Sequence, residues 1–266
     1  MNKFDFIIVG AMKAGTSSLA KCLTQNPTVH VAEKELHIFN TYEFSKVEER
    51  ISKLKKLNAN LIGEKSPSYS VHPKAAENIY RHNPKTKIIW ILRDPLKRSY
   101  SQYLHRLKNG LEIKPFLEVF YNDVNSDEGK ENFYKNIYTR SLYSNQIKAY
   151  LEFFSMSQMH FIFFEDFVSN HSDTMQSINN FLELGKFSYN NVITNETKLP
   201  RFINFEFISR KLFGKSLIYK ILHKLNQSPS KKMPFKFKEK QYELMSFFEE
   251  DIKKLNSMGI KANWLK

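Results

Sequence analysis

The chain has 266 residues, with 41 Lys and Arg against 27 Asp and Glu, a formal net charge of +14. Its 41% hydrophobic and 26% charged residues exclude a disordered chain, a collagen, a coiled coil and a disulfide scaffold, and the length suits one large α/β domain or two small ones. A lone cysteine, Cys22, closes no internal disulfide, no stretch nears the ~20 apolar residues of a membrane span, and Met1 to Gly10 lacks a signal peptide's long apolar run, so a cytoplasmic protein is expected.

The elements follow in order. Phe4 to Val9 is a short apolar run closed by Gly10, which predicts a buried strand, and a helix from about Thr16 to Thr24 ends before Asn26-Pro27. Thr28 to Val31 reads as a short strand, Glu43 to Leu57 as an exposed amphipathic helix, and Asn60 to Gly63 as another strand. Pro73 to Arg81 and Pro95 to Leu107 are helices that open on proline, on either side of the apolar strand Lys87 to Leu92. Thr139 to Phe154 is expected as a helix, His160 to Phe164 as a strand and Ser172 to Leu184 as a helix. Gly185 to Leu199 reads as a long loop and Pro229 to Pro234 as a break. Strands alternating with helices predict an α/β, P-loop-like three-layer fold, with a mostly parallel central sheet flanked by helices. A single domain over residues 1–266 is expected, with no repeat and no low-complexity linker.

After the first strand the chain reads Gly10-Ala11-Met12-Lys13-Ala14-Gly15-Thr16-Ser17-Ser18. A glycine-bearing loop between strand and helix aims backbone N–H groups and the helix dipole at one point, which suits a phosphate. It departs from a Walker A loop, because Thr16 stands where that pattern puts lysine, and the lysine is Lys13, inside the loop. The second element is Arg93-Asp94-Pro95, at the carboxyl end of a central strand, where open α/β sheets bind ligands. Asp94 and Pro95 suit a helix cap and first turn, and Arg98 suits a pairing with a surface acid. Arg93 is not explained by capping, and its fork can hold a phosphate, with Ser101 a second contact further along the helix.

With these residues on view, the chain resembles the sulfotransferases that use 3′-phosphoadenosine 5′-phosphosulfate, and within them the glycan-modifying, heparan sulfate type and its bacterial relatives. The resemblance rests on the phosphate loop, Lys34-Glu35-Leu36-His37-Ile38-Phe39, Gly63-Glu64-Lys65-Ser66-Pro67-Ser68-Tyr69 and the Arg93-Asp94-Pro95 segment, in the family's order over residues 4 to 104. Phe164-Glu165-Asp166 and Asn263-Trp264-Leu265 look like the family too, whereas residues 105 to 140 and 200 to 245 match no named pattern. The resemblance implies that Lys13, Ala14, Gly15, Thr16 and Ser17 hold the donor's 5′-phosphosulfate, and that Arg93 and Ser101 hold its 3′-phosphate. It implies Glu35 as the catalytic base and Lys65 beside the acceptor, where the residue alone would also suit a solvated surface lysine. Lys198 and Arg201 would belong to a late loop closing over the nucleotide, although the family's Lys-Gly-Arg form of that loop is absent.

The chemistry agrees with those residue types. Sulfuryl transfer runs in line between two oxygens, so catalysis is positioning plus charge stabilisation. Lys13 can neutralise charge on the leaving phosphate, and Glu35 can take a proton from a carbohydrate hydroxyl or amine. Glu35 could instead be a surface carboxylate paired with Lys34 or Lys13. His37, two residues on, faces the same side in an extended stretch and is either an auxiliary base, an acceptor contact or a buried structural histidine. The other histidines lack metal-ligand spacing, so no metal is assigned. Two other readings stay open from the residues: a P-loop-type kinase of a small molecule and a non-catalytic polyanion binder.

From Arg201 to Lys240 there are eleven Lys and Arg and two acids, interleaved with apolar residues at roughly helical spacing. This basic amphipathic segment suits either an apolar stripe packed on the core or attraction to a polyanionic glycan, an anionic membrane surface or nucleic acid. A carbohydrate acceptor, acidic or lipid-linked, is the expected partner, with peripheral membrane contact allowed and no nucleic acid expected. Oligomeric state is not legible.

Overall fold

The computed structural model describes residues 3–53, 59–126, 136–192, 199–228 and 238–265. Its centre is a sheet of β1 (Phe6–Gly10), β2 (Val29–Val31), β3 (Leu61–Lys65), β4 (Lys87–Leu92) and β5 (Met159–Phe163), in the order β2-β3-β1-β4-β5. Every pairing is parallel. All of β1 and the run Ile88–Leu92 are buried, without alternation, because helices cover both faces of the sheet. Where β1 pairs β3, Phe6 lies opposite Gly63, and a Cβ at Gly63 would stand 2.1 Å from the Phe6 ring, so only glycine fits there.

The helices are α1 (Thr16–Leu23), α2 (Phe44–Ser52), α3 (Ala75–His82), α4 (Pro95–Lys108), α5 (Phe116–Asn125), α6 (Tyr143–Leu151), α7 (Phe164–Ser169), α8 (His171–Leu182), α9 (Ile203–Phe213), α10 (Leu217–Asn226), α11 (Gln241–Ser246) and α12 (Glu249–Ser257). As expected, Asp94 caps α4 by accepting from the Lys97 N–H, with Pro95 in its first turn. The chain builds β2 and β3 on one side of β1, then crosses to build β4 and β5 on the other. The crevice beside the carboxyl ends of β1 and β4 is therefore the switch point at which such sheets bind ligands.

Several boundaries differ from the sequence reading. The helix expected over Thr139–Phe154 is broken: Thr139–Ser141 form a 3₁₀ turn, Leu142 is extended, and α6 starts at Tyr143. The cause is remote in sequence. Asp251 of α12 accepts from the Tyr143 and Ser144 N–H groups at 2.7 and 3.0 Å and so caps a new helix start. The exposed helix runs over Phe44–Ser52, and residues 54–58 lie outside the described residues. The strand expected to reach Phe164 ends at Phe163, and Phe164 opens α7. Helices α5, α11 and α12 were not expected. The predicted break at Pro229–Pro234, and Lys198 in the predicted late loop, lie outside the described residues.

Candidate active site

The expected loop turns at the carboxyl end of β1. Lys13 and Gly15 both take positive φ, 69° and 99°. At Gly15 a Cβ would stand 2.9 Å from the Phe164 ring, so the loop lies directly on that ring. Gly15 precedes α1 without a side-chain cap, so the N–H groups of Thr16 and Ser17 open the helix at the end of the loop. They point where an anion is stabilised.

Arg93 closes β4 beside this loop. Its Nη1 donates to the Lys13 carbonyl at 3.0 Å, and its guanidinium stacks on the Phe164 ring, 4.6 Å from the centroid. Phe164 thus supports the loop and the arginine together. The Arg93 Nε is buried with no hydrogen-bond partner, and among the described residues no carboxylate forms an ion pair with Arg93 or Lys13. Burial pushes the Lys13 ammonium down to about 8, helped by the positive charges of Arg93, Lys108 and Arg98. Burial, then Lys13 and Lys108, pushes His105 down to about 4. Lys13 and Arg93, largely buried, unpaired with any carboxylate and holding an unpartnered buried donor, fit a phosphate-bearing ligand.

Ser101 has no direct bond to Arg93. It lies on α4 four residues before His105 and seven before Lys108, one helical face; the Lys13 charge bears on His105, and the Lys108 charge bears on Lys13. Lys108 and His105 were not singled out from sequence, although their helical spacing from Ser101 could have shown them. Arg98 corrects an expectation. It is fully buried and pairs with no surface acid; it donates to Ser141 Oγ, Gln102 Oε1 and the carbonyls of Ile137 and Met12. It pins the loop to α4 rather than meeting solvent.

The segment after β2 brings Glu35 to the same carboxyl end of the sheet. Glu35 pairs with neither Lys34 nor Lys13: its Oε1 accepts from Lys65 Nζ at 3.1 Å. The same ammonium donates to Ser17 Oγ at 3.1 Å. Lys65 is only 7% exposed, so it is not a solvated surface lysine; it links the phosphate loop to Glu35. His37 is not in extended backbone but at φ 50°. It is held there by its N–H donating to Ser66 Oγ and its Nδ1 at 3.0 Å from Ser68 Oγ, and its Nε2 still lies 3.5 Å from Glu35 Oε2.

Beneath this segment lies Glu64, a residue the sequence reading did not single out. It is fully buried, and its Oε1 accepts from the Leu36 N–H and the Ser66 hydroxyl. Burial pushes its carboxyl up to about 7, against the hydrogen bonds. One side chain thus fixes the backbone between Glu35 and His37 directly at Leu36, and that of His37 through Ser66, whose Oγ accepts from the His37 N–H.

The remaining expected residues lie apart. Arg201 is exposed at the neck of the α9–α10 hairpin, where its N–H donates to the Asn226 carbonyl. A cleft of about 1220 Å³ also lies apart: it opens beyond Asp94 among Glu165, Asp166, Glu249 and Trp264, and none of the expected site residues lines it. Its acids oppose a phosphate. Glu165 does have a structural part, accepting from the Asp94 N–H at 3.1 Å and from Trp264 Nε1 at 3.4 Å. Among the described residues no group of three or more His, Cys, Asp or Glu is arranged to hold a metal ion.

Comparison with known proteins bears on the family and the fold. A family model described as a sulfotransferase domain matches residues 3–264. The chain is similar to heparan sulfate glucosamine 3-O-sulfotransferase 5 of Mus musculus, at 29% identity over 220 residues, covering 79% of this chain and 62% of that protein. It is also similar to the membrane-associated sulfotransferase kil1 of Dictyostelium discoideum, at 25% identity over 282 residues, covering 72% of this chain and 59% of that protein. It thus spans less than two thirds of the length of these curated relatives. In fold it resembles the crystal structure of a sulfotransferase from Alicyclobacillus acidocaldarius, with a TM-score of 0.70 and 21% identity over the whole of both chains.

Proposed function

The chain belongs to the sulfotransferase domain family, whose donor is 3′-phosphoadenosine 5′-phosphosulfate, and from that premise we propose that it transfers the sulfuryl group of that donor to a hydroxyl or amine of a carbohydrate. The observation that carries the proposal is the Ser17–Lys65–Glu35 chain, which runs from the phosphate loop to a half-exposed carboxylate. It joins a group that meets the donor to one that meets the acceptor.

The roles follow. Lys13, Ala14, Gly15, Thr16 and Ser17 surround the 5′-phosphosulfate, and the unpartnered Nε of Arg93, with Ser101, meets the 3′-phosphate. Lys13 meets charge that grows on the bridging phosphate oxygen as the sulfur–oxygen bond breaks. Glu35 takes the proton of the acceptor group as its oxygen or nitrogen bonds to sulfur. Lys65 holds Glu35 in place, and His37 assists at the acceptor side. Lys198 and Arg201 are assigned to the nucleotide on the family resemblance alone. The heparan sulfate acceptor named for the mouse relative supports a carbohydrate here.

The test is incubation with donor labelled in the sulfuryl group and a panel of glycans, followed by recovery of label in a glycan. A thermal-shift comparison belongs beside it: adenosine 3′,5′-diphosphate should stabilise the fold in a concentration-dependent way, and ATP with Mg²⁺ should not. Stabilisation by ATP alone would revive the kinase reading and sink this one.

A further inference from the structure

The α9–α10 hairpin is folded with its polar side inward. Glu206, the lone acid between residues 199 and 228, is fully buried between the two helices and accepts from His223 Nδ1, Tyr219 OH and Asn226 Nδ2 at 2.6, 2.8 and 2.8 Å. Its neck is closed by a bridge between Pro200 and Gln227, and Tyr219 OH anchors it to the Asn109 carbonyl just past the end of α4. Apolar residues point the other way. Phe205, Ile208 and Leu212 of α9, and Ile218, Ile221 and Leu225 of α10, each recur at i, i+3 and i+7 and are 44–70% exposed. The hairpin holds nine of the seventeen large hydrophobic residues exposed among the described ones, so the apolar stripe anticipated for this segment does not pack on the core; it faces outward.

Outward apolar faces call for a non-aqueous neighbour, and the charge says which. The stretch 199–228 carries Arg201, Arg210, Lys211, Lys215, Lys220 and Lys224 against one acid, and that acid is internal. A second copy of the chain would bring like charge against like. A soluble polyanion would meet the cations and leave the apolar faces in water. An anionic bilayer surface satisfies both, since its headgroups meet the lysines and its acyl boundary takes the Phe, Ile and Leu side chains. We propose that the α9–α10 hairpin docks this protein on anionic lipid membranes, lying in the interface and not crossing it. Each helix is about 15 Å long, which suits a shallow in-plane contact and not a span. The inference does not depend on the proposed reaction.

The test is co-sedimentation of the full chain with phosphatidylcholine vesicles, with and without about a third phosphatidylglycerol. Binding is expected only to the anionic vesicles, weakening as salt rises. A Leu212→Asp/Ile221→Asp variant should bind them at least about tenfold more weakly. Its melting temperature should remain that of the parent, because both side chains are exposed. As a second readout, the fluorescence of a Leu212→Trp variant should shift to the blue on anionic vesicles. The proposal is overturned if the parent chain ignores anionic vesicles and the tryptophan does not shift. It is equally overturned if the aspartate variant binds like the parent, if that variant instead converts a dimer to a monomer, or if the hairpin binds heparin in solution but no vesicle.

Discussion

Lys65 and Glu35 meet at 3.1 Å although they lie thirty residues apart, and the lysine is nearly buried while the carboxylate is half open to solvent. The pair is anchored on its closed side by Ser17 and offers its open side to an incoming group. A charge pair of this kind is a poor stability device, but it fixes the direction of a carboxylate.

The first prediction tests that pair. Glu35→Gln keeps shape and removes the base, so turnover should fall roughly 10²–10⁴-fold while affinity for adenosine 3′,5′-diphosphate stays nearly unchanged. Lys65→Met should lower turnover roughly 10²-fold or more by releasing Glu35 and Ser17 together. His37→Ala is the control. If it abolishes turnover while Glu35→Gln retains most of it, the base has been misassigned.

Arg93 offers a donor that the folded chain leaves unpaired, and Arg93→Ala is expected to weaken diphosphate binding by on the order of 1.5–3 kcal/mol. Calorimetry on the folded variant measures this directly. Unchanged affinity would place the 3′-phosphate elsewhere.

Lys13 should couple nucleotide binding to pH. With its value at about 8, the free chain loses this charge as pH rises past that point, and a bound phosphate restores the proton. Affinity should therefore fall above about pH 8, with protons taken up on binding. Calorimetry in two buffers of unlike ionisation enthalpy detects the uptake, and Lys13→Met should abolish it. The stability sign is separate. Between about 8 and 10.5 the unfolded chain holds more protons on this lysine than the folded one, so its contribution to stability rises with pH across that window and is fully unfavourable below it.

Glu64 has the opposite slope. Its carboxyl stands at about 7 against 4.5 when free, so between these values the folded chain holds a proton that the unfolded chain releases. Its contribution should fall as pH rises through the window, by on the order of 3 kcal/mol, and the loss should be complete above about 7. Urea unfolding at about pH 5 and about pH 8 measures the difference, and Glu64→Gln should flatten it. A parent and variant with equal slopes would mean that Glu64 is ionised in the fold.

Much of this was legible in sequence because it is local. Apolar runs set β1 and β4, proline and Asp94 set the start of α4, and the spacing of Lys13 and Gly15 set the loop. What was illegible depends on partners far along the chain. Nothing near Leu142 announces a helix break, because the cap is Asp251. Lys65 and Arg98 carry surface-type side chains, and only the fold shows them buried among acceptors. The facing of the hairpin was hidden for a related reason. Its apolar periodicity was plain, but periodicity does not say which face turns inward, and the buried contacts of Glu206 decide that.

The strand order also divides labour across the sheet. The loop after β1, Arg93 after β4 and Phe164 after β5 lie toward one edge, while Glu35 after β2 and Lys65 at the end of β3 lie toward the other. On the proposed reading, one edge serves the donor and the other the acceptor, with Lys65 reaching Ser17 across the boundary. The two specificities are therefore separable by grafting. Exchanging residues 33–40 and 66–72 for those of another family member would transplant acceptor choice onto an unaltered nucleotide half, provided Glu64 and Lys65 stay behind as the hinge pins on which the graft is hung.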